Sequence, residues 1–429
     1  MMKLASRSTP CAIRTTENGN WLNDCRRLWL AATRWATLMW LASVCVAVMP
    51  GLSRADGVFT PYAAEDIEHN TNIFDLPAGQ GTPIGKHGPT FGDTFFETRA
   101  GLQVTYPIDR QQFFGTAEFR RFDYDNFTLL DHNEELFDGG LKWKLGYAVD
   151  GLLEYKHEQR MVQFQDLQAY TQLILEKENN ATASANVDIT PEWRVESKVN
   201  DHVLESPRSD VPGLSLHEDS ILEGLKYLGV ANLSAGFEAD YLDGRYNHDP
   251  LALDPNYHQI SGALAATYII SGLTNFSGNV GYTRRTDPTN AGLSGVTGRI
   301  TYQHSISSKT SINLQLSRVL STYVSTGGNE IDTTAGATVN WQATYKILVR
   351  AGYSYTDSSF PGTPVGAATI DRVDHFQSAN VDLTYQVLHW LSIRPYARYQ
   401  NRHSNDSFDS FNANIVGVEL LVKQLQPNR

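Results

Sequence analysis

The sequence predicts an all-β fold, a transmembrane antiparallel up-and-down β-barrel of about 18 strands (range roughly 16–18) with both termini on the periplasmic side. Three observations predict it. Residues alternate with period two, short turns and longer polar connections succeed one another, and aromatic residues gather at both ends of the strand-length segments. The alternation is explicit in four places. Ala181, Ala183, Ala185, Val187 and Ile189 interleave with Thr182, Ser184, Asn186 and Asp188. Leu233 to Tyr241, Phe276 to Tyr282 and Ala335 to Trp341 repeat the pattern. Successive side chains of a strand point to opposite faces, so each segment has one apolar and one polar face.

Short turns are expected near Pro107-Ile108-Asp109, Gly146-Tyr147, Thr190-Pro191-Glu192, Leu228-Gly229, Ser271-Gly272, Ser305 to Lys309, Thr344 to Lys346 and Val387 to His389. Longer polar connections alternate with them, as at His202 to Ser215, Asp243 to Asn256 and Asp357 to Thr369. Eight turns pair sixteen strands, and an opening strand near Val58 to Asp66 with a closing one near Ala413 to Lys423 adds two. The turn spacing of roughly 40 residues also suits a β-propeller blade, but a blade fits four short strands into that length. Here each unit reads as two long ones.

Charge sorting and aromatic placement turn the apolar face toward lipid. Glu97, Arg99, Glu118, Arg120, Lys142, Lys144, Glu154, Lys156, Arg299, Arg350, Arg394 and Arg398 fall on the polar side of their segments. A Lys or Arg facing lipid at the midplane costs about 2–4 kcal/mol, which enforces such sorting. Glu223, between Ile221 and Leu225, breaks the pattern and suggests a bulge or a shifted register. Trp143, Trp193, Trp341 and Trp390, with Tyr106, Tyr227, Tyr268, Tyr302, Tyr345 and Tyr385, stand beside short turns. Tyr124, Tyr155, Tyr241, Tyr282, Tyr355 and Tyr399 stand near the long-connection ends. Rings with an apolar body and a polar tip favour the bilayer interface, so two such belts mark a membrane slab.

Residues 1–55 read as a signal peptide and residues 56–429 as the barrel. Arg26, Arg27 and Arg34 precede an apolar run from Trp35 to Met49, closed by Pro50-Gly51 and a Ser53-Arg54-Ala55 step. The run is short for a spanning helix, and the basic stretch before it is long enough to place the true start downstream. Cys11, Cys25 and Cys45 all lie in this leader, so the exported part has no disulfide and no thiolate chemistry. The leader takes seven Lys/Arg and two Asp/Glu with it. Residues 56–429 therefore carry 28 basic and 45 acidic side chains, net −17. That balance excludes nucleic acid as a partner, because neutralising phosphates needs clustered positive charge.

No constellation points to catalysis, a metal or a cofactor. No serine sits in a Gly-x-Ser-x-Gly frame, and the histidines show no ligand spacing along one strand face. Asp123-Tyr124-Asp125 and Asp406 to Asp409 match no calcium loop and read as solvated loop tips. Gly295-Val296-Thr297-Gly298 lies inside an alternating strand, which makes its glycines packing residues. The candidate functional residues are therefore lumen-facing polar groups, Glu97, Arg99, Glu118, Arg120, Arg299, Arg350, Arg394 and Arg398. Rings of such groups set selectivity in pores. Barrels of 16–18 strands hold an aqueous interior, and constriction must come from loops folding inward.

The opening Phe59-Thr60-Pro61-Tyr62-Ala63, the run Asn70-Thr71-Asn72-Ile73-Phe74-Asp75-Leu76-Pro77, the segment Arg121 to Phe127 and the turn Thr190 to Arg194 together resemble the putative β-barrel porin family. Within it the likeness is to EpsL-type outer-membrane proteins of exosortase-associated exopolysaccharide operons. The resemblance implies an outer-membrane barrel tied to exopolysaccharide biosynthesis or export, with outer-membrane lipid, the polymer and periplasmic export components as partners. It implies no catalytic residues. A general diffusion porin, or a structural or adhesive barrel whose loops bind a ligand, are the alternatives. One departure is the end of the chain, where Lys423 to Arg429 follow the last apolar residues in place of a terminal aromatic.

Overall fold

The structure, a computed structural model, describes residues 58–79, 81–167, 171–206, 215–246, 256–286, 292–323, 328–364 and 371–424. The leader at 1–55 and the tail at 425–429 lie outside the described residues. Strand β1 (Val58–Asn70) leads through a small hairpin, β2 (Ile84–Gly85) and β3 (Gly88–Pro89), into a succession of long strands. These are β4 (Asp93–Ile108), β5 (Gln111–Tyr124), β6 (His132–Leu145), β7 (Val149–Met161), β8 (Leu175–Thr190), β9 (Trp193–Glu205), β10 (Leu216–Val230) and β11 (Leu233–Tyr246). They continue as β12 (Tyr257–Ser271), β13 (Thr274–Thr286), β14 (Leu293–Ser305), β15 (Thr310–Tyr323), β16 (Gly328–Thr344), β17 (Ile347–Pro364), β18 (Asp371–Leu388), β19 (Leu391–Ser404) and β20 (Phe411–Lys423).

All but β2 and β3 form one 18-stranded antiparallel sheet in which each strand pairs with its neighbours in sequence. The sheet closes because β1 pairs on one side with β4 and on the other with β20. Tyr62, for example, lies opposite both Gly101 and Lys423. Closure pairs every strand on both sides and leaves no edge.

The eight short turns all fall at one end of the barrel, where β1 begins and β20 stops. Hydroxyl side chains build several of them. The Thr190 Oγ1 accepts from the Glu192 and Trp193 N–H, the Thr344 Oγ1 from Lys346 and Ile347, and the Ser307 Oγ from Lys309 and Thr310. A hydroxyl bonding the backbone two or three residues on stabilises a turn locally. One turn sits elsewhere than the sequence suggests. It is made at Ala231-Asn232, with Asn232 at φ 64°, while Leu228-Gly229 lies in a register shift between Tyr227 and Val230. Asparagine tolerates the left-handed conformation that this turn requires.

Contacts that leap over a strand identify the inner face. Side chains converge on the concave side of a curved sheet and diverge on the convex side. The Tyr62 hydroxyl on β1 reaches Glu118 on β5 (2.6 Å), Tyr396 on β19 reaches Glu68 on β1 (2.8 Å), and Arg194 on β9 lies 3.6 Å from Asp150 on β7. Every one of these residues lies on the polar face. The opposite face carries Leu264, 71% exposed, and Leu316, 57% exposed, within a band of Val, Leu, Ile and Phe. Apolar side chains stand out from the barrel and polar ones point in, the inverse of a soluble protein and the arrangement a hydrocarbon solvent selects.

Glu223 is in register, opposite Ala239 and Ser197, and faces outward. No bulge turns it inward. The Ser197 hydroxyl donates to its carboxylate at 2.6 Å. A small alanine on one side and a hydrogen-bonding serine on the other replace the expected shift. Gly298 behaves as predicted for a packing glycine, since a Cβ there would collide with the Asn279 carbonyl, whereas a Cβ at Gly295 would meet open space and that glycine is not a packing residue.

Two adjacent substitutions test the assignment of faces. Leu316→Arg should lower the stability of the folded barrel in liposomes by about 2–4 kcal/mol. Gln315→Arg, one residue away on the inner face, should leave it within about 0.5 kcal/mol. Urea unfolding followed by heat-modifiable gel mobility reads both, and a larger cost for Gln315→Arg than for Leu316→Arg would mean the faces are reversed.

Candidate functional site

The lumen wall includes two stretches of different chemistry. From β19 through β20, β1 and β4 to β6 it is an ionic ladder. Arg99 lies 3.2 Å from Glu97 and pairs with Glu419 across β1. Arg394 also reaches Glu419, at 3.1 Å. Arg120 sits between Glu118 (2.5 Å) and Glu134 (3.5 Å). Tyr396 donates toward Asp66 and Glu68, as Tyr62 does to Glu118. Five of the eight lumen residues singled out from sequence (Glu97, Arg99, Glu118, Arg120, Arg394) are therefore brought together in this one patch, each neutralised by a partner. The sequence reading missed those partners. Asp66 and Glu68 stand two apart in the opening strand, and that period was the available signal.

From β12 to β18 the inner face is largely hydroxyl and amide. Ser277, Asn279, Thr301, Asn313, Gln315, Thr338, Asn340 and Ser378 follow one another around the wall. Pairs such as Thr283 with Thr297 (2.6 Å) and Thr334 with Thr356 (3.0 Å) hydrogen-bond across strands. Arg299 and Arg350 rise from this wall, and Arg398 stands at the margin of the ladder. Among the described residues none of the three makes an ion pair. They are the charges of the predicted set that remain available to a solute.

The end opposite the short turns is narrowed by the chain itself. The β1–β4, β5–β6 and β7–β8 connections pack a hydrophobic cluster, in which Phe74 meets Phe127 (4.7 Å between centroids) and Phe164 (4.9 Å) edge-on, over Leu76 and Leu130. Tyr124 joins this cluster on the inner face and is not part of an outer belt. The Arg402 guanidinium on β19 donates to the Gln165 carbonyl (2.6 Å), which ties the β7–β8 connection to a strand six neighbours away. The β7–β8 connection thus reaches an inward-facing side chain of a distant strand.

Asp406 to Asp409 are not all solvated. Asp406 caps a short 3-10 turn by accepting from the Phe408 N–H (3.0 Å), but Asp409 is 0% exposed. It lies 3.1 Å from Arg372 and 3.7 Å from Arg402. Asp374 completes the group through Arg372, which is 1% exposed and rests on the Phe360 ring at 4.4 Å. Two arginines and two aspartates thus cancel in a dry pocket under the β19–β20 connection. Asp123 and Asp125 are engaged as well, by Arg121 (2.9 Å) and His87 (3.7 Å).

A family model described as "Putative beta-barrel porin 2" matches residues 265–424, from within β12 to beyond the end of β20. Similar solved structures include the outer membrane protein opdK from Pseudomonas aeruginosa (11% identity, 86% of this chain and 99% of that one, TM-score 0.47). Another is Pseudomonas aeruginosa OccK5 (OpdH), at 12% identity, 86% and 99% coverage and TM-score 0.46. No curated protein matches the chain by sequence.

The chain is an outer-membrane β-barrel.

On the outside of the barrel, Tyr106, Trp143, Trp193, Tyr268, Tyr302, Trp341 and Tyr385 occupy outward register positions near the short turns. Trp390 sits in the β18–β19 turn, where its carbonyl accepts from the Lys423 N–H. Tyr155, Tyr241, Tyr282, Tyr355 and Tyr399 face outward toward the other end. Beyond them the outward positions become charged. Tyr241 and Asp243 meet His258, and Tyr355 and Asp357 meet His375. Asp201, His217 and Asp219 also converge there, a metal-type grouping across β9 and β10 that the sequence reading did not find. His217 lies 2.9 Å from Asp201, and Arg245 lies 3.4 Å from Asp219, so these carboxylates have partners within the chain.

Burial pushes the Asp409 carboxyl up to about 6, against the pull of Arg372 and Arg402. A carboxyl raised in the folded state stabilises it fully below the ordinary carboxylate range and loses that contribution as pH rises through about 6. Hydrogen-exchange protection of the β19–β20 connection should therefore fall between pH values of about 5 and 7 in the native protein. Asp409→Asn, neutral throughout, should show a flat profile over that range, and a profile unchanged by the substitution would exclude Asp409 as the group responsible.

Proposed function

We propose that the barrel is a diffusion channel for small, uncharged, hydroxyl-rich solutes such as sugars. The observation that carries this reading is the hydroxyl and amide wall from β12 to β18. A solute leaving water must replace its hydrogen bonds along the path, and Ser, Thr, Asn and Gln offer both donors and acceptors without imposing a charge. The ionic stretch is closed on itself through Arg99, Arg120, Arg394 and their carboxylates, so it sets less field than its formal charges suggest. Arg299, Arg350 and Arg398 add donors for solute oxygens.

Passage or guidance of an exopolysaccharide is the second reading. The resemblance of Phe59 to Ala63, Asn70 to Pro77 and Thr190 to Arg194 to EpsL-type proteins favours it, and a wall repeating the same groups over seven strands suits a polymer of like units. The packed loops at the mouth favour small solutes. Periplasmic export components as partners belong to this second reading only. An adhesive role for the loops has no feature of its own that the channel reading lacks.

Proteoliposomes holding the folded barrel should swell in isotonic glucose, and planar bilayers should show discrete conductance steps. A barrel that shows the heat-modifiable gel shift yet admits neither sugar nor ions would exclude a channel. Added soluble exopolysaccharide that blocks conductance without glucose uptake would favour the second reading.

A further inference from the structure

We propose that Asp201, His217 and Asp219 form a binding site for a borderline-soft divalent metal ion, Zn²⁺ or one like it, on the outer surface of the barrel. Among the described residues no other three metal-ligating side chains converge in this way. The ligand atoms that face one another are Asp201 Oδ2 on β9 with His217 Nε2 and Asp219 Oδ1 on β10. Two hydrogen-bonded neighbours of one sheet thus supply the whole set.

Asp201 and Asp219 stand directly opposite each other in the β9–β10 register. Like charges so placed repel, and a positive group between them relieves the repulsion. His217 Nε2 occupies that place, 2.9 Å from Asp201 and 3.6 Å from Asp219. A proton on this nitrogen answers two carboxylates with one charge, whereas a divalent ion bound to it answers with two. Ligand atoms held about 2.0–2.2 Å from a tetrahedral ion stand roughly 3.4 Å apart. The two measured separations bracket that value, and all three ligand atoms lie within 4.8 Å of one another. Small side-chain movements therefore close the set on an ion.

The surroundings orient the ligands and leave them reachable. Arg245 on β11 holds the other oxygen of Asp219 at 3.4 Å and is itself held by Asp243 at 2.8 Å. The remaining oxygen of Asp219 is the one turned to His217. A partner on the distal atom of a ligand fixes its direction. The side chains of Asp201 and Asp219 are 52% and 48% exposed, and both line a cavity of about 1020 Å³ on the outer wall beside Val199 and Ile221. An ion has room there, and three protein ligands leave a further position to water. The imidazole sets the class of metal. Ca²⁺ and Mg²⁺ take oxygen ligands, while imidazole suits Zn²⁺, Cu²⁺ and Ni²⁺. The neighbouring outward pairs, Asp243 with His258 and Asp357 with His375, bring one carboxylate to each imidazole and lack the second.

Isothermal titration of the chelator-washed, detergent-solubilised, folded barrel with zinc chloride should show one saturable site that is tighter than any other. His217→Asn and Asp219→Asn should each weaken that site at least about tenfold. His258→Asn should leave it unchanged, and a large excess of Mg²⁺ should not displace the Zn²⁺. At one equivalent of Cu²⁺, pulsed electron paramagnetic resonance of the unsubstituted protein should detect a single coordinated imidazole nitrogen. Absence of saturable Zn²⁺ binding, wild-type affinity in His217→Asn, displacement by Mg²⁺ or a Cu²⁺ spectrum without imidazole would overturn the site. If one variant loses its heat-modifiable gel shift, the other variant and the Cu²⁺ spectrum decide the matter. The ligands face away from the lumen, so glucose swelling should be equal with and without Zn²⁺, and metal binding and sugar passage are tested separately.

Discussion

Hydrocarbon offers no hydrogen bonds, and that constraint organises the molecule. A chain that crosses it with strands must pair every backbone N–H and C=O with another strand, and only a closed sheet does so without an edge. The double pairing of β1, with β4 on one side and β20 on the other, is where this requirement is met. The strand order follows sequence throughout, so each connection needs only to reverse direction. Short hydroxyl-stabilised turns suffice at one end, and the length that remains accumulates in the connections at the other.

Closure also gives the two faces different geometry. On the concave side, residues two strands apart come within reach, and the ladder of Tyr62, Glu118, Arg99, Glu419 and Arg394 exists because of that convergence. On the convex side they separate, and a polar group has only its nearest cross-strand neighbour to use. Glu223 shows the consequence, since Ser197 is the residue directly opposite and is the donor it finds. Outward carboxylates with more partners, such as Asp243 and Asp357, lie past the tyrosines, where imidazoles and water are available.

Periodicity made the barrel legible because a strand in lipid has to alternate, and the residues at 181–189 or 335–341 do so without interruption. Strand number and all turn positions but one follow from that signal. The Leu228-Gly229 turn was displaced because glycine is a generic breaker, whereas the left-handed position is filled by Asn232. Which lumen charges are neutralised was not legible. Arg99 and Arg299 look alike on a period-two pattern, and their difference arises from Glu419, 320 residues away in sequence and two strands away in space. Asp409 was misread for the same reason, its partner Arg372 arriving from the preceding strand pair.

The mouth follows a different rule from the wall. Its residues have no period, and they are held by a few specific contacts between connections, Phe74 on Phe127 and Phe164, and Arg402 on Gln165. The buried Arg372, Asp374, Arg402 and Asp409 add little net stability by themselves, because removing four charges from water offsets most of their mutual attraction. Their effect is on geometry. A misplaced member would leave an uncompensated charge in a dry site, so the group tolerates one arrangement of the β19–β20 connection and penalises the others. Asn126 is held in the same spirit by Asp93, Lys86 and His87. The barrel wall is thus dictated by the solvent around it, and the mouth by pairings among its own connections.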